Sequence, residues 1–173
     1  MKREISNKIF STIGQLISVT EIIFSRASLG KKIQRLGNIE VRDLNRSLKR
    51  YARAGLIKPV GKDRFELMKK GEEKLLGLRL KNKIKLRNKW DGRWRIIIFD
   101  IPENRKFARE AIRRKLKFLN FFPLQKSVFI FPFRCEEEIK ELVDFFRLGD
   151  FVEIILAESL GGREAQIRKK FNL

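Results

Sequence analysis

Arg95-Ile96-Ile97-Ile98-Phe99-Asp100-Ile101-Pro102-Glu103 decides how this chain is read. In an extended strand Ile96, Ile98 and Asp100 point one way, and Ile97, Phe99 and Ile101 the other. A strand with one wet face alternates apolar and polar residues. This one is apolar on both sides, so it predicts a strand covered above and below. Pro102 and Glu103 then read as a helix start. Proline suits the first helical position, and an acid suits the positive end of the helix dipole.

Working outward, the pattern predicts strands over 95–101, 121–125, 127–133 and 151–157, with helices over 103–119 and 136–147. Phe107, Ala111, Leu116 and Leu119 are the expected inner side of the first helix, and Ile139, Leu142, Val143 and Phe146 that of the second. The order βαββαβ is the ferredoxin-like, split β-α-β arrangement, so the fold class is α+β. The other strands repeat the double apolar pattern: Val128, Ile130 and Pro132 against Phe129, Phe131 and Phe133. Both helices of this arrangement lie on one sheet face, leaving the other open. An exposed apolar patch of a few hundred Å² is already notable on a monomer. A second copy, sheet against sheet, is the expected cover, because two-fold dimers dominate soluble oligomers. The alternative cover is the chain's own first half or its tail. Ile97, Phe99, Phe129, Phe131, Phe133 and Ile155 are the expected dimer interface.

Upstream the chemistry changes. The chain has 173 residues and a net charge of +20. Residues 1–89 hold 24 Lys and Arg against 8 Asp and Glu, whereas residues 90–173 hold 17 against 13. Phenylalanine runs the other way, 3 before residue 90 and 12 after. A basic first half seeks a polyanion, and an aromatic second half seeks apolar contact. Ile5, Ile9, Ile13, Leu16, Ile17 and Phe24 predict one face of a helix over 5–24, and a shorter helix follows over 28–36 with Gly37-Asn38 as its stop. Val41, Leu44, Leu48 and Tyr51 predict a third, stopped by Gly55. Ile57–Val60 and Arg64–Leu67 flank a glycine-containing turn and read as a hairpin, with a last helix over about 69–76.

Three helices and a hairpin are the order of a winged helix-turn-helix. There the third helix enters the major groove and the hairpin touches the backbone. Double-stranded DNA is therefore the expected partner. Arg42, Asn45, Arg46 and Lys49 are the expected groove contacts, since Arg and Asn can read guanine and adenine edges. Arg50 and Arg53 continue that helix, and Lys58, Lys62 and Arg64 on the wing are expected phosphate contacts. The bland alternative is a solvated basic helix face.

The expected domains are a winged-helix head over 1–77, a basic linker over 78–89, a ferredoxin-like dimerisation domain over 90–160 and a basic tail over 161–173. The stretch 78–89 alternates basic and apolar residues, which also allows an extension of the preceding helix.

Trp90-Asp91-Gly92-Arg93-Trp94, the strand after it and Leu124-Gln125-Lys126-Ser127-Val128-Phe129 resemble two related families. One is the PaaX-type transcriptional repressors, which pair a winged-helix head with a ferredoxin-like dimerising domain. The other is the small dimeric CRISPR-associated endonuclease of spacer adaptation, which that domain is similar to. The resemblance covers roughly residues 90–157 by motif and the head by pattern only. In the nuclease-like family the acid ending the first strand lies near its two-fold mate and can hold a divalent metal. Asp100 matches that position, and in the repressor-like family the same acid has no nuclease role. Full-length PaaX-type repressors continue into a further C-terminal domain; the expectation here is a chain without it, and so without a small-molecule effector such as an acyl-coenzyme A.

Other chemistry is sparse. There is no histidine, the commonest general base and metal ligand. The single Cys135 excludes an intramolecular disulfide and has no base to activate it. No glycine loop has phosphate-binding spacing, and no apolar run reaches the ~20 residues of a membrane helix. The expectation is a cytoplasmic, dimeric, sequence-specific DNA-binding regulator without a cofactor. Asp100 is the catalytic and metal-binding candidate of a rival reading, a Mg- or Mn-dependent nuclease or CRISPR-adaptation subunit. A non-specific architectural DNA-binding protein is the third reading.

Overall fold

The computed structural model describes residues 2–16, 23–35, 41–86 and 89–173. They divide into two compact units, Met1–Arg79 and Leu80–Leu173. The first runs α1 (Lys2–Leu16), β1 (Ile23–Ser25), α2 (Arg26–Arg35), α3 (Val41–Arg53), β2 (Ile57–Val60), β3 (Arg64–Leu67) and into α4 (Lys69–Leu86). Its three strands form an antiparallel sheet in the order β1-β3-β2. Ile9, Phe10 and Ile13 of α1, Leu29 and Ile33 of α2, and Leu44, Leu48 and Tyr51 of α3 share one core with Phe24, Ile57 and Leu67. Tyr51 is buried, and its hydroxyl donates to the Ser6 carbonyl at 2.6 Å.

The helix expected over 5–24 is shorter. α1 ends at Leu16, Ile17 lies outside the described residues, and Phe24 sits in β1 opposite Phe65, ring on ring at 5.6 Å. The sequence around it holds the β-branched residues Val19, Thr20, Ile22 and Ile23, which favour strand over helix. The predicted stop at Gly37-Asn38 also lies outside the described residues.

The end of α3 is set by one residue. Gly55 has φ +68°, and the Leu56 N–H donates to the Tyr51 carbonyl while the Gly55 N–H donates to Ala52. That is a Schellman closure, which needs a left-handed residue at Gly55. It turns the chain into β2 and aims the hairpin. Gly71 has a different task. A Cβ there would stand 2.2 Å from the Leu56 carbonyl oxygen, so only glycine lets the first turn of α4 come this close to the start of the hairpin.

α4 also corrects the linker. The stretch expected to begin a linker at residue 78 is helical to Leu86. Leu76, Leu80 and Ile84 recur every four residues and are all buried. The basic and apolar alternation was thus one helix face seen in projection.

The second unit contains β4 (Trp94–Phe99), α5 (Lys106–Phe118), β5 (Phe122–Gln125), β6 (Val128–Phe131), α6 (Glu136–Phe146), β7 (Val152–Ala157) and α7 (Glu164–Phe171). The sheet order is β5-β6-β4-β7, antiparallel throughout, which is the split β-α-β order. A 3₁₀ turn at Glu103–Arg105 precedes α5, so the helix predicted from 103 starts three residues later.

The register separates the two sheet faces. Ile97 pairs with Phe129 and Ile154, while Ile96 pairs with Ile130 and Ile155. Ile97, Phe99, Phe129 and Phe131 are at most 3 % exposed within the single chain. The guanidinium of Arg113, on α5, lies over the Phe99 ring. This is the helix-covered face, so these four residues are core and not the expected dimer interface. Ile155 is on the opposite face and 43 % exposed, and Phe133, beyond the end of β6, is half-buried. Strand parity separates two faces without telling which one the helices take, and that is where the expectation went astray.

The opposite face is partly covered by the tail. Ile167 of α7 is fully buried with Trp94 and Ile130, and Phe171, Leu160, Ile96 and Ala157 pack around them. Glu164 holds this helix in place. It accepts from the Leu160 N–H and from Arg168, whose guanidinium lies 4.3 Å over the Trp90 ring. Those same bonds, the Leu160 N–H first, hold the Glu164 carboxyl down at about 2. Residues 161–173 are therefore a packed element. Phe107, expected on the inner side of α5, is 92 % exposed. Ala111, Ile112, Leu116 and Leu119 set the buried stripe, and Phe107 lies about 120° around the helix from its centre.

Candidate nucleic-acid interface

α3 has a strong amphipathic division. Leu44, Ser47, Leu48 and Tyr51 are buried, and Arg42, Arg46, Lys49, Arg50 and Arg53 are exposed. Arg42, Arg46, Lys49 and Arg53 follow one another at intervals of four, three and four residues. At 100° per residue they form a single stripe directly opposite the buried face, about 16 Å long at 1.5 Å per residue. The stripe is amply exposed: 64 % of the Arg46 side chain is open to solvent, held only by an ion pair to Asp43 at 3.4 Å. Exposed pairs of this kind are worth little, so exchanging Asp43 for a phosphate costs little. Asn45 is half-buried on the flank of the stripe, and Arg50 leans over the Tyr51 ring at 5.8 Å. Arg42 and Lys49 therefore stand nearer the centre of the stripe than Asn45 does.

The hairpin adds Lys58, Lys62 and Arg64, all exposed. The Arg26 Nε donates to Asp63 at 2.6 Å, which ties the start of α2 to the hairpin turn. Arg26 was not anticipated, and neither were Lys31 and Arg35, exposed on the same short helix. The signal was present in Arg26-Ala27-Ser28-Leu29-Gly30-Lys31-Lys32, three of whose residues bracket a helix start with positive charge.

Asp100 is exposed just beyond β4, its N–H donating to the Phe151 carbonyl. It lines a cavity of about 460 Å³ with Ile98, Phe99, Pro102, Asp150, Phe151 and Glu153. Asp150 and Glu153 are the neighbours that sequence reading missed, because they come from the far end of the chain. Among the described residues no group of three His, Cys, Asp or Glu side chains is arranged to hold a metal ion.

The Trp90-to-Trp94 motif does different work. Asp91 accepts two bonds from Arg95, at 2.6 and 2.7 Å, and one from Arg134. Arg95, only 2 % exposed, also donates to Glu136 and to the Arg93 and Pro132 carbonyls. Asp91 is held well below the usual carboxylate range, first by the Arg95 hydrogen bonds. Asp91 and Glu136 in turn keep the guanidinium charged despite its burial. The motif thus clamps the entry to β4 onto the start of α6. Cys135, at that same helix start, is buried, and burial pushes its thiol up with Glu136 adding to the effect. It is no nucleophile.

Among the described residues no helix is long and apolar enough to cross a membrane. No curated protein matches the chain. Residues 87–168, just under half of the sequence and most of the second unit, match the family model of the PaaX protein central Cas2-like domain.

Proposed function

We propose that this chain is a dimeric, sequence-specific DNA-binding regulator of transcription, acting as a repressor through a winged-helix head on a ferredoxin-like body. One observation carries the reading: the exposed cationic stripe Arg42, Arg46, Lys49, Arg53 on α3. The helix–strand–helix–helix–strand–strand order around it, with a basic hairpin beside it, is the layout in which such a helix enters a major groove. The similarity of the second unit to the PaaX central domain points to the same class of activity. A dimer would present two stripes to two half-sites, and the half-exposed apolar residues Ile98, Val128 and Ile155 supply a surface that gains from pairing.

The test is binding of the full chain to duplex DNA across a range of salt. A regulator keeps one palindromic site at physiological salt and ignores chelator. An architectural protein shows a steep salt slope and little site preference, and that result would replace the present reading. The shared cavity of Asp100, Asp150 and Glu153 favours one rival, a divalent-metal nuclease. Cleavage in magnesium or manganese that Asp100→Ala abolishes would establish the rival instead.

A further inference from the structure

Among the described residues Phe107 is the most exposed large apolar side chain, at 92 %, and the next, Leu156, is at 49 %. Lone exposed aliphatics are ordinary. A phenyl ring standing almost entirely in water at the first turn of a well-formed helix is not, and aromatic side chains and arginine are enriched where proteins bind one another. Phe107 has cationic flanks. Lys106 beside it is 65 % exposed, with only a 3.8 Å contact to Glu103, and Arg114 lies exposed two turns along the same side.

The same end of the second unit carries the complementary shape. The 460 Å³ cavity has apolar walls from Ile98, Phe99, Pro102 and Phe151 and an acidic rim of Asp100, Asp150 and Glu153. None of the three acids is ion-paired among the described residues. Knob and hole are close neighbours. Pro102 is five residues before Phe107, and Arg105 between them lies 5.0 Å over the Phe151 ring. Yet the ring is in solvent, so the chain does not fill its own cavity.

We propose that two copies of this chain pair through a reciprocal knob and hole, Phe107 of each entering the acidic cavity of the other. Adjacent complementary features of this kind are satisfied twice by a two-fold axis. Apolar ring meets apolar wall, and Lys106 and Arg114 meet the carboxylate rim. The inference rests on the dimer reading above and assigns it a surface. It also gives Asp100 a binding role that needs no metal.

Sedimentation velocity of the full chain at tens of micromolar tests it. The wild type is expected to be a dimer that loosens with salt. Phe107→Ala and Glu153→Lys, both at exposed positions, are each expected to weaken pairing about tenfold or more. Mixed one to one, they should pair better than either alone, because one intact knob then meets one intact hole. A monomeric wild type would sink the dimer reading itself. A dimer indifferent to both substitutions, or a mixture that recovers nothing, would overturn the surface and leave the dimer standing.

Discussion

Arg46 stands on α3 with 64 % of its side chain in water and a single loose partner. Arg95, in β4, keeps 2 % and donates to Asp91, Glu136 and two carbonyls. The two belong to different units and to different kinds of chemistry. An exposed guanidinium has given up little and can be spent on a phosphate or a base edge. A buried one is committed, since withdrawing it removes the shared cation of two carboxylates. Counting arginines along the sequence treats the two alike. Their surroundings separate a binding surface from a structural clamp.

The contrast is sharpest at Arg95. Arg95→Ala takes the buried cation from Glu136 and leaves Asp91 with only the exposed Arg134, and the second unit is expected to lose about 3–5 kcal/mol in urea denaturation. A loss below about 1 kcal/mol would show the clamp to be decorative. Next is Ile167→Ala, which opens a cavity against Trp94 and Ile130. The expected cost is about 2–4 kcal/mol, with added binding of an apolar dye as α7 loosens from the sheet. Unchanged stability would mean that the tail does not hold that face.

Arg46→Ala moves a different quantity. The first unit should unfold within ~0.5 kcal/mol of the wild type, while affinity for a preferred site falls by about 1–3 kcal/mol in fluorescence anisotropy. An equal loss on every sequence would make Arg46 a phosphate contact. The smallest effect is with pH. Arg95 holds Asp91 below its unfolded value of ~3.9. Its contribution is therefore complete above about pH 4 and disappears as pH falls toward the folded value. Asp91→Asn, less stable at neutral pH, should lose less than the wild type between pH 5 and the onset of acid unfolding, roughly the window of that shift.

Much of this molecule was legible as pattern. Leu44, Leu48 and Tyr51 at intervals of four and three placed α3 and its stripe, and Gly55 marked its end. The βαββαβ order and the helix start at Glu136 also followed from apolar runs and charge. These are local properties, fixed by side-chain period and backbone preference over a few residues. Four other features belonged to tertiary structure alone. Ile97, Phe99, Phe129 and Phe131 went to the helix side because sheet parity has no sign until helices choose a face. Ile167 came to lie on Trp94, Phe107 turned outward, and Asp150 and Glu153 met Asp100. Each depends on residues tens of positions apart competing for the same surface, and burial is decided by the packed chain as a whole, not by any stretch of it.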